Sequence, residues 1–130
     1  MSVVVDASAV VDFLIKADGV PRLRERLRPF QVLHAPHLID LEVLHFVRGR
    51  HLHGEIDAVR VSEVIADHLA LPIKRYAHHM LLQRAWELHA NITAYDAIYV
   101  ALAEFLHATL ITSDLRLAKA AARFVDVETP

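Results

Sequence analysis

The chain has 130 residues, a formal net charge of −2, no cysteine and a 55% share of hydrophobic side chains. One domain over residues 1–130 with a substantial core fits those totals, while disulfides and thiolate-bound zinc are excluded. Binding nucleic acid through bulk positive charge is excluded too, because such domains are strongly basic and this isoelectric point is near 6.5.

Taken in chain order, SVVV is a β-branched run that predicts a buried strand, and ASAVVDFLIK then has helical spacing, with Asp12 and Lys16 as an i,i+4 pair. PRLRERLRP reads as a short helix bounded by prolines. FQVLHAP predicts a second strand, and HLIDLEVLHFVR a helix from Leu38 to Arg48. Gly49 and Gly54 bracket a turn before a helix through EIDAVRVSEVIADHL, after which ALPIKRYA is a short extended piece. Two helices follow, one through HMLLQRAWELHA and one opening at Thr93; ATLIT is a strand, SDLRLAKAAAR a helix and FVDVE a closing strand. Short apolar strands alternating with helices predict an α/β fold with a parallel sheet covered on both faces. No window reaches the roughly 18 uninterrupted apolar residues of a membrane span. The start MSVVVDASAVV lacks the basic region of a signal peptide, so a cytoplasmic location without membrane attachment is expected. The ten histidines show no H-E-x-x-H pattern; His51 and His53 are the one pair spaced to share a metal.

In open α/β sheets ligands bind outside the carboxyl ends of the strands, which directs attention to the acids that follow them. Asp6 follows SVVV and Asp114 follows TLITS; each is also a favoured helix-cap residue. Thr93 and Asp96 form a T-x-x-D capping box, yet ITAYDAIYVALAEF is apolar nearly all round, with Tyr95, Ile98, Tyr99, Leu102 and Leu106 as its main face. Asp96 is therefore expected inside. On the helix from Leu38, Glu42 falls between Leu38 and Phe46 at i, i+4 and i+8, where an unpaired carboxylate is costly, whereas Asp40 lies off that face. Capping accounts for Asp6, Asp96 and Asp114 separately but not for Glu42. Four acids in one crevice repel one another unless cations are present, and an all-oxygen set suits Mg²⁺ or Mn²⁺.

VVVDASAVVDFL, HAPHLIDLEVLHFVR and NITAYDAIYVALAEF with ATLITSDLRLAKAA together resemble a PIN domain, specifically a VapC-type toxin ribonuclease of the toxin–antitoxin class, over about residues 2–127. The resemblance implies a three-layer α/β/α sandwich and a metal-dependent endoribonuclease. It also implies that Asp6, Glu42, Asp96 and Asp114 are the catalytic, Mg²⁺- or Mn²⁺-binding acids. Ser8, Thr112 and Ser113 match positions where the family often carries supporting polar groups. A further acid present in some relatives is absent at Arg116 and Leu117. A haloacid-dehalogenase-like phosphatase would need a second Asp where Ser8 stands. A catalytically weak protein-interaction module on the same fold is the alternative.

RNA is the expected substrate, with Arg48, Arg50 and Arg116 as rim cations. The resemblance implies a small antitoxin as partner, pairing a basic side chain with Asp6, Glu42 or Asp96. Its apolar part is expected along Val11–Ile15 and Leu38–Phe46. The hydrophobic share of the composition also points to a homodimer.

Overall fold

A computed structural model describes residues 2–15 and 32–130. The PRLRERLRP helix and Lys16 of the Asp12–Lys16 pair lie outside them. Five strands, β1 (Val3–Val5), β2 (Leu33–Pro36), β3 (Ile73–Tyr76), β4 (Thr109–Ile111) and β5 (Val127–Glu128), form one sheet in the order β3-β2-β1-β4-β5. Every pairing is parallel; Val3 stands opposite Leu33 on one side and Thr109 on the other. The central β1 is three consecutive buried valines, as a strand covered on both faces requires. The outermost β3 carries Lys74 exposed on its edge, which discourages pairing with another sheet.

The helices among the described residues are α1 (Ala7–Ile15), α2 (Leu38–Leu52), α3 (Ala58–Ala70), α4 (Leu82–Glu87), α5 (Ala94–Leu106) and α6 (Leu115–Ala121). The chain steps from β1 through β2 to β3 in one direction and from β4 to β5 in the other. Right-handed crossovers therefore put α1, α2 and α3 on one face and α4, α5 and α6 on the other, the expected three layers. Contacts follow suit: α1, α2 and α3 pack on one another, while α5 lies on β1, β2 and β4. Seven consecutive residues of α5, Ala97 to Ala103, are buried, so its apolar perimeter reflects a central position. Tyr95 and Phe105 at its ends are exposed, which removes Tyr95 from the expected face.

Helix α2 departs from expectation in two ways. It runs through Gly49 to Leu52, so only Gly54, at φ 77°, makes the turn. A Cβ at Gly49 would meet nothing, and the helix continues without strain. The buried stripe is Ile39, Val43 and Val47, and Phe46 is 43% exposed. With apolar residues at both spacings, the β-branched set faces the core, and Glu42 lies half-buried on the margin rather than within the stripe. Asp40 is not idle either. Its Oδ2 accepts from Arg75 Nε at 2.8 Å and its Oδ1 from Arg75 Nη2 at 2.8 Å, with buried His68 Nε2 2.7 Å from Oδ1. This cluster ties α2 to β3 and α3.

Smaller differences have local causes. HMLLQRAWELHA splits into a 3-10 turn, His79–Leu81, and the short α4. In FVDVE only Val127 and Glu128 pair, because Phe124 and Val125 donate their N–H groups back to Ala121.

Candidate active site

The sheet order reverses between β1 and β4, and the crevice beyond their carboxyl ends is where open α/β sheets place ligands. Asp6 is the first residue after β1 and only 5% exposed. Its Oδ1 accepts from Ser8 Oγ at 2.7 Å and from the Ala9 N–H at 3.0 Å, so it does cap α1. Its Oδ2 accepts from Thr112 Oγ1, beyond β4, at 2.5 Å. The same hydroxyls fix the β4 loop: Ser8 Oγ accepts the Ser113 N–H and Thr112 Oγ1 the Asp114 N–H, both at 3.0 Å. Capping and a place at the strand ends are thus one arrangement. The carboxyl is held above its ordinary pKa, chiefly by burial, against the pull of Thr112, Ala9 and Ser8 and with a small push from Asp96.

Glu42 reaches the crevice from α2. Its Oε1 accepts from the Tyr99 hydroxyl at 2.6 Å. Burial raises its pKa, Tyr99 opposes the rise, and Asp96 and Asp6 add to it. Asp96 lies in the first turn of α5, where Thr93 Oγ1 accepts its N–H at 3.3 Å. Its pKa is also raised, first by burial and then by Asp114, with Thr93 and Arg116 pulling the other way. Asp114 caps α6 by accepting the Arg116 and Leu117 N–H groups on Oδ1, at 2.9 and 3.2 Å. Its Oδ2 accepts nothing from the described residues.

The four sequence-selected acids are therefore electrostatic neighbours, linked through Glu42, Asp6, Asp96 and Asp114 in turn. Among the described residues no three His, Cys, Asp or Glu converge closely enough to hold one ion. The donor chemistry still fits a hard divalent cation. All donors are oxygens, and three carboxyls are destabilised when charged, which a cation would reverse. A cavity of about 180 Å³ opens beside Asp96 and Asp114, bounded also by Asn91, Thr93 and Arg116. Of the three arginines chosen from sequence, Arg50 is engaged with Asp12 at 3.9 Å and Glu55 at 3.6 Å. Arg48 and Arg116 are exposed, and Arg116 alone borders this cavity. The Nδ1 atoms of His51 and His53 lie 3.0 and 2.8 Å from the Ile56 and Gly49 carbonyls, and neither histidine belongs to a group of three possible ligands among the described residues.

Sequence reasoning had Tyr99 as a packing residue. Its place three residues after Asp96, hence on the same side of α5, was the available signal.

Comparison with known proteins gives the family and supports the fold. The PIN domain matches residues 3–123. The VapC ribonuclease Mb0985 of Mycobacterium bovis is 40% identical, over 88% of this chain and 87% of its own length. Among solved structures, VapBC2 from Rickettsia felis, bound to a DNA fragment from its promoter, superposes with a TM-score of 0.70 at 14% identity, covering 99% of this chain and 98% of that one. VapC20 of Mycobacterium tuberculosis, described as a sarcin–ricin loop cleaving toxin, superposes with a TM-score of 0.69 at 18% identity, covering 98% and 99%. The chain belongs to the PIN-domain family and, within it, to the VapC ribonucleases.

Proposed function

We propose that this chain is an endoribonuclease toxin of a toxin–antitoxin pair, a single PIN domain over residues 1–130 that hydrolyses RNA phosphodiester bonds using Asp6, Glu42, Asp96 and Asp114. One observation carries the reading. Three neighbouring carboxyls at the sheet's reversal point are held above their ordinary pKa, and no described cationic side chain forms an ion pair with them. Divalent-metal dependence is general among PIN-domain ribonucleases, and the oxygen donors here suit Mg²⁺, with Mn²⁺ as substitute.

The ion, when bound, supplies Lewis acidity and a water of lowered pKa. The chain supplies the rest. Ser8, Ala9 and Thr112 fix both oxygens of Asp6, leaving it little freedom to swing. Asp96 faces it from α5 as the second principal metal-binding acid. Glu42 keeps Oε2 clear of Tyr99 to orient the attacking water and take its proton, with Asp114 Oδ2 completing the acidic wall. Arg116 is placed to meet a phosphate at the cavity mouth. Loss of an RNA band in Mg²⁺, abolished by EDTA and by Asp6→Asn, tests the proposal; undiminished cleavage in excess EDTA would sink it.

Restraint by a cognate antitoxin fits the same surface, through a basic side chain directed at Asp6, Glu42 or Asp96. Val11 and Leu14 of α1 are buried, so the apolar contact available to it is exposed Leu41 and Leu44 of α2, with half-buried Phe13 and Ile15 from the Val11–Ile15 segment. A second copy of the chain suits another face. Exposed Leu82, Trp86 and Tyr95 ring an apolar cavity of about 500 Å³ floored by Leu38, Ile92 and Ile98. No described helix is long and apolar enough to cross a membrane, and we place the protein in the cytoplasm, where its RNA is. These apolar faces would equally serve a catalytically weak interaction module. EDTA-sensitive turnover separates the two readings.

A further inference from the structure

Resting on that assignment of the acids, we infer that Tyr99 is a positioning residue for the metal site: its hydroxyl fixes which oxygen of Glu42 faces the crevice. Tyr99 is 1% exposed, and its hydroxyl crosses from α5 to α2 to donate to Glu42 Oε1 at 2.6 Å, bridging 57 positions of sequence. It lies one turn beyond Asp96 on the same side of α5, so one helix carries both a proposed metal-binding acid and the donor that sets another. The phenol stands near Asp6 and Asp96 as well as Glu42, a neutral donor among three acids. A tyrosine is protonated at neutral pH without any assistance, so here it acts as a donor.

The geometry has a specific consequence. Glu42 is half-buried on the margin of α2, and no other described side chain or N–H group binds it. Without the phenol, its carboxylate is free to rotate among orientations that point either oxygen away from Asp6 and Asp96. With it, Oε1 is occupied and Oε2 is presented. Hydrogen-bond partners that orient metal-binding groups typically matter by about 10- to 100-fold in metal affinity or activity. A purely packing role for Tyr99 would need only the ring, which phenylalanine retains.

The test is Tyr99→Phe, read by the Mn²⁺ concentration that gives half of the metal-induced gain in melting temperature, with Asp6→Asn as control. The midpoint is expected to rise about tenfold in Tyr99→Phe, with kcat falling by a similar factor. In Glu42→Ala, which leaves the phenol nothing to orient, adding Tyr99→Phe should move the midpoint less than about twofold. A wild-type midpoint in Tyr99→Phe, or an equal shift in both backgrounds, overturns the inference while leaving the metal site standing. Absence of any Mn²⁺ response in the wild type, or the same response in Asp6→Asn, removes the site itself and this inference with it.

Discussion

Helix α2 carries two acids two positions apart that meet opposite fates. Asp40 is bound by the Arg75 guanidinium through both oxygens and by His68. Burial pushes its pKa up, but Arg75 and His68 outweigh that and hold it below the ordinary carboxylate value. Glu42 faces a crevice whose nearest charged groups are other acids, and its pKa is raised. One acid has its countercharge built into the fold; the other has only a phenol. An acid answered by the protein's own cations is part of the scaffold. A group of acids left unanswered costs stability, and a fold retains such a cost where something from outside supplies the charge. Exposure alone does not separate the two, since both are half-buried.

Neutralising each acid in turn tests this contrast most severely. Glu42→Gln is expected to lower the cleavage rate by a factor of hundreds or more, the usual cost of removing a metal-binding or water-orienting acid. Asp40→Asn should retain most activity and instead lose roughly 1 kcal/mol in urea unfolding, a small figure because the ion pair is partly solvated. Two mutants with the same profile, or the profiles reversed, would break the distinction.

Cation binding should then relieve the crevice and not the Asp40 cluster. Mg²⁺ or Mn²⁺ at about 100 times its dissociation constant adds about 2.7 kcal/mol to stability, visible as a rise in melting temperature. Asp6→Asn and Asp96→Asn should each abolish that rise without unfolding the protein, and Asp40→Asn should leave it intact. A metal response that survives both crevice mutations would place the ion elsewhere.

Acid titration in EDTA separates the regions by sign. Asp6, Glu42 and Asp96 have raised pKa values, so their protonated forms favour the fold. That contribution is complete below the ordinary carboxyl values of 3.8 to 4.5 and is lost as pH rises through the folded values. Asp6→Asn should accordingly stabilise metal-free protein at pH 7, and the gain should shrink as pH falls. Asp40 behaves in the opposite sense: its contribution is present above the ordinary value of 3.8 and is lost as pH falls through the lower folded value. The deficit of Asp40→Asn should therefore not shrink between pH 7 and about 5. Parallel pH curves for the two mutants would deny the contrast.

Sequence patterns reached the parallel sheet covered on both faces, and pointed to the four acids proposed above, because each depends on local signals: β-branched runs, acids directly after strands, and a helix apolar on every side. They missed what depends on partners distant in sequence. Arg75 and His68 lie 35 and 28 positions from Asp40, so nothing near Asp40 announced its role. Glu42 was selected for lying in an apolar stripe, whereas the buried stripe is Ile39, Val43 and Val47. What marks it is its position at the margin, where α2 turns a side chain toward the strand ends. Two overlapping apolar periodicities on one helix cannot be ranked until the sheet beneath them is placed.

The rim arginines extend the contrast to substrate, with the smallest expected effect. Arg50 has its own acids in Asp12 and Glu55, as Asp40 has its own cations, while Arg116 borders the cavity beside Asp96 and Asp114 without a described ion pair. A cation already answered within the fold gains little from a phosphate. Arg116→Ala should therefore weaken binding of single-stranded RNA several-fold at low salt. It should also reduce the slope of log affinity against log salt by about 0.7, the value for one phosphate contact on a single strand. Arg50→Ala should leave that slope unchanged. Measuring both in Ca²⁺, to separate binding from cleavage, decides the point: equal slopes for Arg116→Ala and wild type would mean that the phosphate passes elsewhere, with exposed Arg48 the next residue to replace.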